Sequence, residues 1–147
     1  MEASSHGLSQ NRLDGLLFNT GIFTNLSQDH LDYHKNTRNY LKAKLYLFER
    51  LIKTKGTIIT DEKIPEFKKI KNIASNKNLN LFSLFDKKNN FQFLSHHYED
   101  ESQLLEIRYN NSIHKIKLNL IGKIQLKNVL MAVIASIKSN INIKDIL

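Results

Sequence analysis

Apolar residues recur with two different periods along the first part of the chain. Three β-branched, apolar runs read as buried strands: Gly21–Leu26, Gly56–Thr60 and Leu79–Leu84. Between them, apolar residues at intervals of three or four predict one helix from Asn36 or Thr37 to Leu51 and another over Ile64–Ala74. The alternation of strand and helix predicts an α/β fold, a mostly parallel sheet flanked by helices. Ala3–Leu8 is expected to be the end of a further strand.

The pattern changes after Leu84 to the period of two that is typical of antiparallel strands. Such strands are predicted at Phe91–Ser95, Leu104–Tyr109 and Ser112–Leu118. Asn110 and Asn111 supply a hairpin turn between the last two. Apolar positions then predict a long helix over Ile121–Ser139, and Asn142 begins a short final one. A small antiparallel β portion is therefore expected beside the parallel sheet.

Composition excludes several classes of protein. The chain is 41% hydrophobic, so it can bury a core, and it has no cysteine for disulfides, thiolate metal sites or thiol nucleophiles. No apolar run approaches the roughly 20 residues of a membrane helix. The net charge of +8 is concentrated between residues 51 and 90, which carry +5 of it. No Gly-rich or aromatic-stacking pattern accompanies those lysines, so a solvated basic face is favoured over a nucleic-acid site.

Candidate functional residues lie at the carboxyl end of the Gly21–Leu26 strand and just beyond it. The segment Thr24–His34 there is rich in polar side chains. In an open parallel sheet the ligand crevice lies beyond the carboxyl ends of the strands. Glu2 and His30 are expected to converge there on one divalent cation, because a carboxylate and an imidazole can both bind Mg²⁺ or Mn²⁺. Spacing alone favours a hydrogen-bonded loop histidine over a metal ligand at His30.

Lys44 lies on the helix that follows, and its side chain can be interpreted in two ways. Facing the crevice, its side chain would neutralise phosphate oxygens or, once carbamylated, bind a metal. Taken alone, a snorkelling surface lysine is the favoured reading. Ser4, Gln10 and Arg12 form a second candidate cluster, in which the guanidinium can grip a carboxylate or phosphate with two hydrogen bonds. Without further support these three would be ordinary loop residues.

The sequence segments around these candidates resemble the central domain of the Mur ligases. Among the Mur ligases, they are most similar to the branch that acts on UDP-N-acetylmuramoyl-dipeptide. The similarity is carried, in order, by Glu2–Leu8, Gln10, Arg12, Phe23–His34, Tyr40, Ala43–Lys44 and Leu47–Phe48. It is strong over roughly the first third of the chain. Beyond that it is looser, and consists of strands, helices and one late motif.

The resemblance implies a role for each of these candidates. Glu2 and His30 match residues that bind Mg²⁺, and Lys44 matches a lysine that is carbamylated and helps to hold a second Mg²⁺. His30 and Lys44 are thereby the expected catalytic residues. The family's binding residues for the UDP-muramoyl-dipeptide are matched here by Ser4, Gln10 and Arg12.

The late motif, Gly122–Asn128, resembles the family's adenine-binding segment. Asn128 matches its second asparagine. Gln125 stands where the first asparagine is usual, and Ile124 replaces an aromatic residue. Asn128 and Gln125 are therefore the expected nucleotide-binding residues, and ATP and Mg²⁺ the expected cofactors.

The implied reaction joins an amino acid to the nucleotide-linked dipeptide through an acyl phosphate, in peptidoglycan synthesis. The amino acid is expected to be a diamino acid or lysine, and the enzyme a cytoplasmic monomer without nucleic-acid or membrane partners. No G-x-x-x-x-G-K-[ST] phosphate loop occurs among the dispersed glycines. Residues 1–147 are therefore expected to be part of the central domain only, without the UDP-binding and amino-acid-binding domains, and inactive alone.

Two alternatives remain beside this one. The first is a fragment of a related superfamily ligase, of the folylpolyglutamate or cyanophycin type. The second is a non-catalytic binding module that keeps the fold. The strings Ser4–Leu8 and Asp29–His34 favour the peptidoglycan ligase over both.

Overall fold

A computed structural model describes residues 1–27, 31–120 and 122–147 of the chain. The helices are α1 (Ser5–Ser9), α2 (Leu31–His34), α3 (Thr37–Tyr46), α4 (Phe67–Asn76), α5 (Lys123–Lys138) and α6 (Ile143–Ile146). The strands are β1 (Phe18–Ile22), β2 (Ile52–Thr60), β3 (Asn80–Ser83), β4 (Phe91–Glu99), β5 (Ser102–Tyr109) and β6 (Ser112–Leu118). Strands β1, β2 and β3 form a parallel sheet in that order, and β4, β5 and β6 a separate antiparallel one. The predicted α/β class with a small antiparallel portion is confirmed.

The chain divides into two compact units. The first comprises residues 1–58 and 64–81, and the second comprises residues 59–63 and 82–147. Among the helices of the described residues, none has both the length and the apolar character needed to span a bilayer.

The core of the first unit forms where α3 and α4 turn apolar faces inward. Its buried members are Phe23, Leu41, Leu45, Phe48, Ile52, Ile58, Ile70 and Ala74. Of the two predicted starts of α3, Asn36 is the N-cap, because its side chain accepts a hydrogen bond from the backbone N–H of Asn39 at 2.8 Å. The helix ends in a π-helical turn, Leu47–Leu51, which buries Phe48 and Leu51. The turn leads directly into β2.

The second unit is built around the β4–β5–β6 meander and α5. Leu105 and Ile107 of β5 are fully buried. Asn110 and Asn111 both adopt positive φ, at 46° and 68°, and close the predicted hairpin between Tyr109 and Ser112. The final helix also begins as predicted, since the Asn142 side chain accepts from the backbone N–H of Lys144.

Two strand predictions are wrong at the N-terminal end. Ala3–Leu8, expected as the end of a strand, contains the start of α1, because the Ser4 hydroxyl caps the helix by accepting from the Gly7 N–H. The strand expected at Gly21–Leu26 is instead Phe18–Ile22. Phe23 is 3% exposed yet lies outside the strand, so its hydrophobicity indicated burial and not sheet pairing.

Candidate functional site

Ser4 and Arg12 are brought together by α1. The Ser4 hydroxyl oxygen accepts from the Gly7 N–H at 3.1 Å, which leaves its own proton free to be donated. The backbone then turns back, with Asn11 at a φ of 55°, and the Arg12 N–H donates to the Gly7 carbonyl at 2.9 Å. A side chain at Gly7 would place its Cβ 3.2 Å from Ser4 Oγ and 4.0 Å from Arg12 Cδ. Gly7 thus lies against both predicted ligand-binding side chains.

Gln10 completes this cluster as the residue that follows α1 and caps its C-terminal end. Its backbone N–H donates to the carbonyls of His6 and Leu8, and its side chain is exposed. Arg12 is exposed as well, and within the described ranges no side chain forms a hydrogen bond or ion pair with its guanidinium. The three predicted substrate-binding residues, Ser4, Gln10 and Arg12, therefore lie on one short surface segment. We call this segment the α1 cluster.

Aromatic rings connect the α1 cluster to α2 and α3. Gln10 Nε2 donates to the hydroxyl of Tyr33 at 3.0 Å. The Tyr33 ring lies 4.1 Å from the ring of His6 and 4.8 Å from that of His34, measured between centroids. His34 is 5% exposed, its Nε2 lies 3.0 Å from the hydroxyl oxygen of Ser5, and its ring stacks on Tyr40.

The sequence alone gave no role to His6, Tyr33 or His34. Tyr33 and His34 fall in the Asp-Tyr-His string, and His6 falls in Ser-Ser-His. A signal for their contact is that ring-bearing side chains, His6 in one segment and Tyr33 and His34 in the other, occur in both. The contacts between the strings depend on the fold, because α1 and α2 are separated by β1.

Lys44 is half-buried on α3 and does not extend freely into solvent. Its Nζ donates to the backbone carbonyl of Asn25 at 2.8 Å. The same nitrogen lies 5.6 Å from the ring centroid of Phe23 and 5.2 Å from that of Tyr40, close enough for cation–π attraction. The side chain therefore contacts the segment that follows β1.

The metal prediction rests on three residues, of which the structure describes two. Glu2 is exposed near the start of the chain, and Lys44 has the contacts given above. His30 lies outside the described residues. Within residues 1–27, 31–120 and 122–147, no group of three His, Cys, Asp or Glu side chains is arranged to hold a metal ion. The Mg²⁺ site at Glu2, His30 and Lys44 stays a prediction.

The predicted nucleotide-binding residues lie at the beginning of α5, in the second unit. Gln125 is exposed and Asn128 is half-buried. Between them, Lys127 forms an ion pair with Asp61, whose side chain is fully buried at the end of β2. Sequence reasoning assigned no role to Asp61 or Lys127. Asp61 follows an apolar strand immediately, which was a signal for a residue at the carboxyl end of the sheet.

Comparison with known proteins gives a matching family model, relatives in sequence and neighbours in structure. Residues 1–136 match the family model described as the Mur ligase middle domain. The UDP-N-acetylmuramoyl-L-alanyl-D-glutamate–2,6-diaminopimelate ligase of Zymomonas mobilis is 36% identical over 131 residues. That alignment covers 89% of this chain and 27% of the relative, so the chain spans about a quarter of the relative's length.

Among solved structures, a UDP-N-acetylmuramoyl-L-alanyl-D-glutamate–2,6-diaminopimelate ligase superposes with a TM-score of 0.82 at 24% identity. The match covers 99% of this chain and 30% of that one. An FPGS–AMPPCP complex superposes with a TM-score of 0.69 at 12% identity, over 90% of this chain and 33% of its own. At these identities the two structures establish the shared fold alone.

Proposed function

This chain belongs to the Mur ligase middle-domain family, and from that membership we propose that it provides the substrate- and metal-binding side of an ATP-dependent amide ligase. The proposed reaction joins 2,6-diaminopimelate to the free carboxylate of UDP-N-acetylmuramoyl-L-alanyl-D-glutamate, the two substrates named for the relatives. The observation that supports it best is the α1 cluster. Its three predicted substrate-binding side chains share one exposed segment, although each alone reads as an ordinary loop residue.

Substrate binding is assigned to the α1 cluster because its chemistry is complementary to an anion. The Arg12 guanidinium is exposed and fits a carboxylate or phosphate with two parallel hydrogen bonds. Ser4 and Gln10 add directional hydrogen bonds to uncharged parts of the ligand. Together they would fix the position of the carboxylate that is to be activated, which accelerates a two-substrate reaction by orientation.

The proposed reaction proceeds in two balanced steps. A carboxylate oxygen of the dipeptide attacks the γ-phosphorus of ATP, the bond to the bridging oxygen breaks, and ADP leaves. The amine of the amino acid then attacks the acyl phosphate, the C–O bond breaks, and inorganic phosphate leaves as the amine loses a proton. Bringing a carboxylate close to a polyphosphate requires positive charge between them.

The Mg²⁺ assignment depends on the chemical state of Lys44. The proposed ligands are Glu2, His30 and Lys44, and Mg²⁺ prefers oxygen donors. An ammonium group has no lone pair to offer, whereas a carbamate supplies carboxylate-like oxygens. The donor set therefore fits Mg²⁺ only if Lys44 is carbamylated. A bound Mg²⁺ would offset the negative charge that builds up on the transferring phosphoryl group.

The remaining parts of the proposal concern the nucleotide, the longer enzyme and its location. Asn128 and Gln125 at the start of α5 would contact the nucleotide, and residues 1–147 would be a portion of the central domain in a longer enzyme. The cytoplasm is proposed as its location, since ATP is available there. The relatives' names favour the peptidoglycan ligase over a folylpolyglutamate-type enzyme, while the shared fold alone fits both.

Isothermal titration of the 147-residue chain with UDP-N-acetylmuramoyl-L-alanyl-D-glutamate tests the proposal. We expect binding, and we expect Arg12→Ala to weaken it about 10- to 100-fold, the effect of losing a charged hydrogen-bonding group. Arg38→Ala is the matched control, because Arg38 is an exposed arginine of the same unit, on α3. Absence of binding, or equal affinities for both variants, would contradict the assignment.

A turnover assay separates the binding role from catalysis. With ATP, Mg²⁺ and both substrates, we expect no phosphate release from this chain alone, because its 147 residues contain no phosphate-binding loop. Release of phosphate above the rate without enzyme would overturn that expectation.

A further inference from the structure

The Gln10 side chain is exposed, yet its orientation is fixed by a neighbour. Its Nε2 donates to the hydroxyl of Tyr33 at 3.0 Å. An amide on a surface helix ordinarily rotates among several rotamers, and each rotamer lost costs conformational entropy when a ligand binds. A side chain that is already held in one orientation does not incur that cost.

The Tyr33 hydroxyl can hold Gln10 because the Tyr33 ring is itself held. Tyr33 is 40% exposed, but its ring packs against that of His6 at 4.1 Å and makes a T-shaped contact with the ring of His34 at 4.8 Å, both measured between centroids. His34 is buried, lies within hydrogen-bond distance of Ser5 and stacks on Tyr40 of α3. The position of the hydroxyl is thus set by rings from three separate helices.

We propose that Tyr33 is a positioning residue that orients Gln10 for the ligand of the α1 cluster, which deepens the proposed function and rests on it. The amide group is planar, so holding Nε2 on Tyr33 points Oε1 away from Tyr33. Gln10 then presents its carbonyl oxygen as an acceptor. The part of the ligand that it meets is a hydrogen-bond donor, a sugar hydroxyl or a peptide N–H. The carboxylate and phosphate groups are left to Arg12.

The orientation of Gln10 is measured first, without any ligand. The side-chain amide resonances of ¹⁵N-labelled protein are recorded, and the Gln10 pair is identified by its loss in Gln10→Met. We expect Tyr33→Phe to shift the Gln10 pair, because the variant removes only the hydroxyl and keeps the packed ring. The control is Tyr46→Phe, which also loses one phenolic hydrogen bond, that to Asp14. It should leave the Gln10 pair unchanged.

Binding of UDP-N-acetylmuramoyl-L-alanyl-D-glutamate is measured next by titration calorimetry. We expect Tyr33→Phe to weaken binding roughly three- to tenfold, the effect of one uncharged hydrogen bond. Its thermal unfolding midpoint should match that of the wild type, since the ring contacts persist. If Tyr33 acts through Gln10, Tyr33→Phe should cause no further loss of affinity in a Gln10→Met background.

The possible results separate this inference from the function on which it rests. If the wild-type chain binds and Tyr33→Phe binds equally well, the positioning role is wrong and the proposed function stands. Additive losses in the double variant would likewise overturn it, because Tyr33 would then act independently of Gln10. If the wild-type chain does not bind the nucleotide-linked dipeptide, the proposed function fails. In the NMR experiment, an unshifted Gln10 pair in Tyr33→Phe would show that Tyr33 does not orient Gln10.

Discussion

Lys127 Nζ lies 2.5 Å from Oδ2 of Asp61, and the carboxylate in this ion pair is fully buried. The other oxygen, Oδ1, accepts from the backbone N–H of Lys63 at 2.8 Å. The lysine side chain is 36% exposed, so one partner keeps contact with water while the other has none. The pair connects the N-terminal part of α5 to the residue that follows β2. The same part of α5 carries Gln125 and Asn128, the proposed nucleotide-binding residues.

Removing the cation should destabilise the protein more than the ion pair itself contributes. Lys127→Met leaves the Asp61 carboxylate buried without its partner, and we expect a loss of about 3–5 kcal/mol in the free energy of unfolding. Urea denaturation followed by circular dichroism measures it. Lys123→Met is the matched control, because Lys123 is an exposed lysine one turn earlier on the same helix, and it should change stability by less than about 0.5 kcal/mol.

A double variant tests the cause. Asp61→Asn combined with Lys127→Met removes both charges, and it should recover a large part of the stability lost in Lys127→Met alone. A double variant as unstable as the single one would mean that packing of the lysine stem, and not the uncompensated charge, accounts for the loss.

Two glycines of the first unit are expected to tolerate alanine to different degrees. A Cβ at Gly21 would meet only side-chain atoms, Ile52 Cδ1 and Phe48 Cε1, each at 2.9 Å. A Cβ at Gly56 would lie 2.7 Å and 2.9 Å from the backbone carbonyl oxygens of Lys53 and Asn19. Side-chain ends can shift, whereas carbonyls of paired strands cannot. We expect Gly21→Ala to cost about 1–3 kcal/mol and Gly56→Ala more than that.

Ile52→Val provides the control for this comparison. Valine lacks the Cδ1 atom that would meet a side chain at Gly21, but it keeps the Cγ2 atom, which lies 2.6 Å from a Cβ at Gly56. Thermal or urea unfolding should therefore show that Ile52→Val partly offsets Gly21→Ala and does not offset Gly56→Ala. Equal rescue of both would contradict the steric explanation.

Local chemistry made part of the fold predictable from the sequence. Asn36 and Asn142 were predicted as helix starts, and Asn110–Asn111 as a hairpin turn, since each depends on side chains and φ angles within a few residues. The N-terminal strand prediction is wrong because Ser4 caps a helix there, and a serine before a helix is a start signal visible in the sequence. Sequence patterns identify a cap or turn more reliably than the limits of an apolar strand.

The candidate site was predictable in its members but not in its contacts. The resemblance assigned Ser4, Gln10 and Arg12 one by one, and the fold was needed to place them on one segment. The contacts of Gln10 with Tyr33 and of Asp61 with Lys127 join residues far apart in the chain. No periodicity encodes such pairs, because each depends on how separate elements pack.

Carbamylation of Lys44 is a chemical prediction that can be checked without turnover. In ¹³C-bicarbonate, the protein should show a carbamate carbon resonance by NMR, and Mg²⁺ should strengthen or shift it if the carbamate binds the metal. Lys44→Arg should abolish the signal, since a guanidinium does not form a stable carbamate. Lys42→Arg, a variant of an exposed lysine on the same helix, should retain it. A carbamate signal that survives in Lys44→Arg would assign it to another amine.

Tyr46 gives a prediction about alkaline pH. Its hydroxyl donates to Asp14 Oδ1 at 2.8 Å, and this hydrogen bond, with smaller effects of partial burial and of the Asp14 charge, raises the pKa of Tyr46 above its ordinary 10.0. Arg50 opposes the shift. The folded state therefore keeps the phenolic proton to a higher pH than the unfolded chain does. The stabilisation is fully present below about pH 10 and is lost as the pH rises through the pKa of the folded protein.

Ultraviolet absorbance of the phenolate, followed from neutral to alkaline pH, measures this shift as the difference between wild type and Tyr46→Phe. The difference titration should have its midpoint above 10.0. Asp14→Asn should move that midpoint down towards the ordinary value, because an amide oxygen accepts the hydrogen bond without a negative charge. Salt should do the same more weakly, since the pair lies at the surface and charges there are screened. A midpoint unaffected by Asp14→Asn would mean that burial, and not the carboxylate, holds the proton.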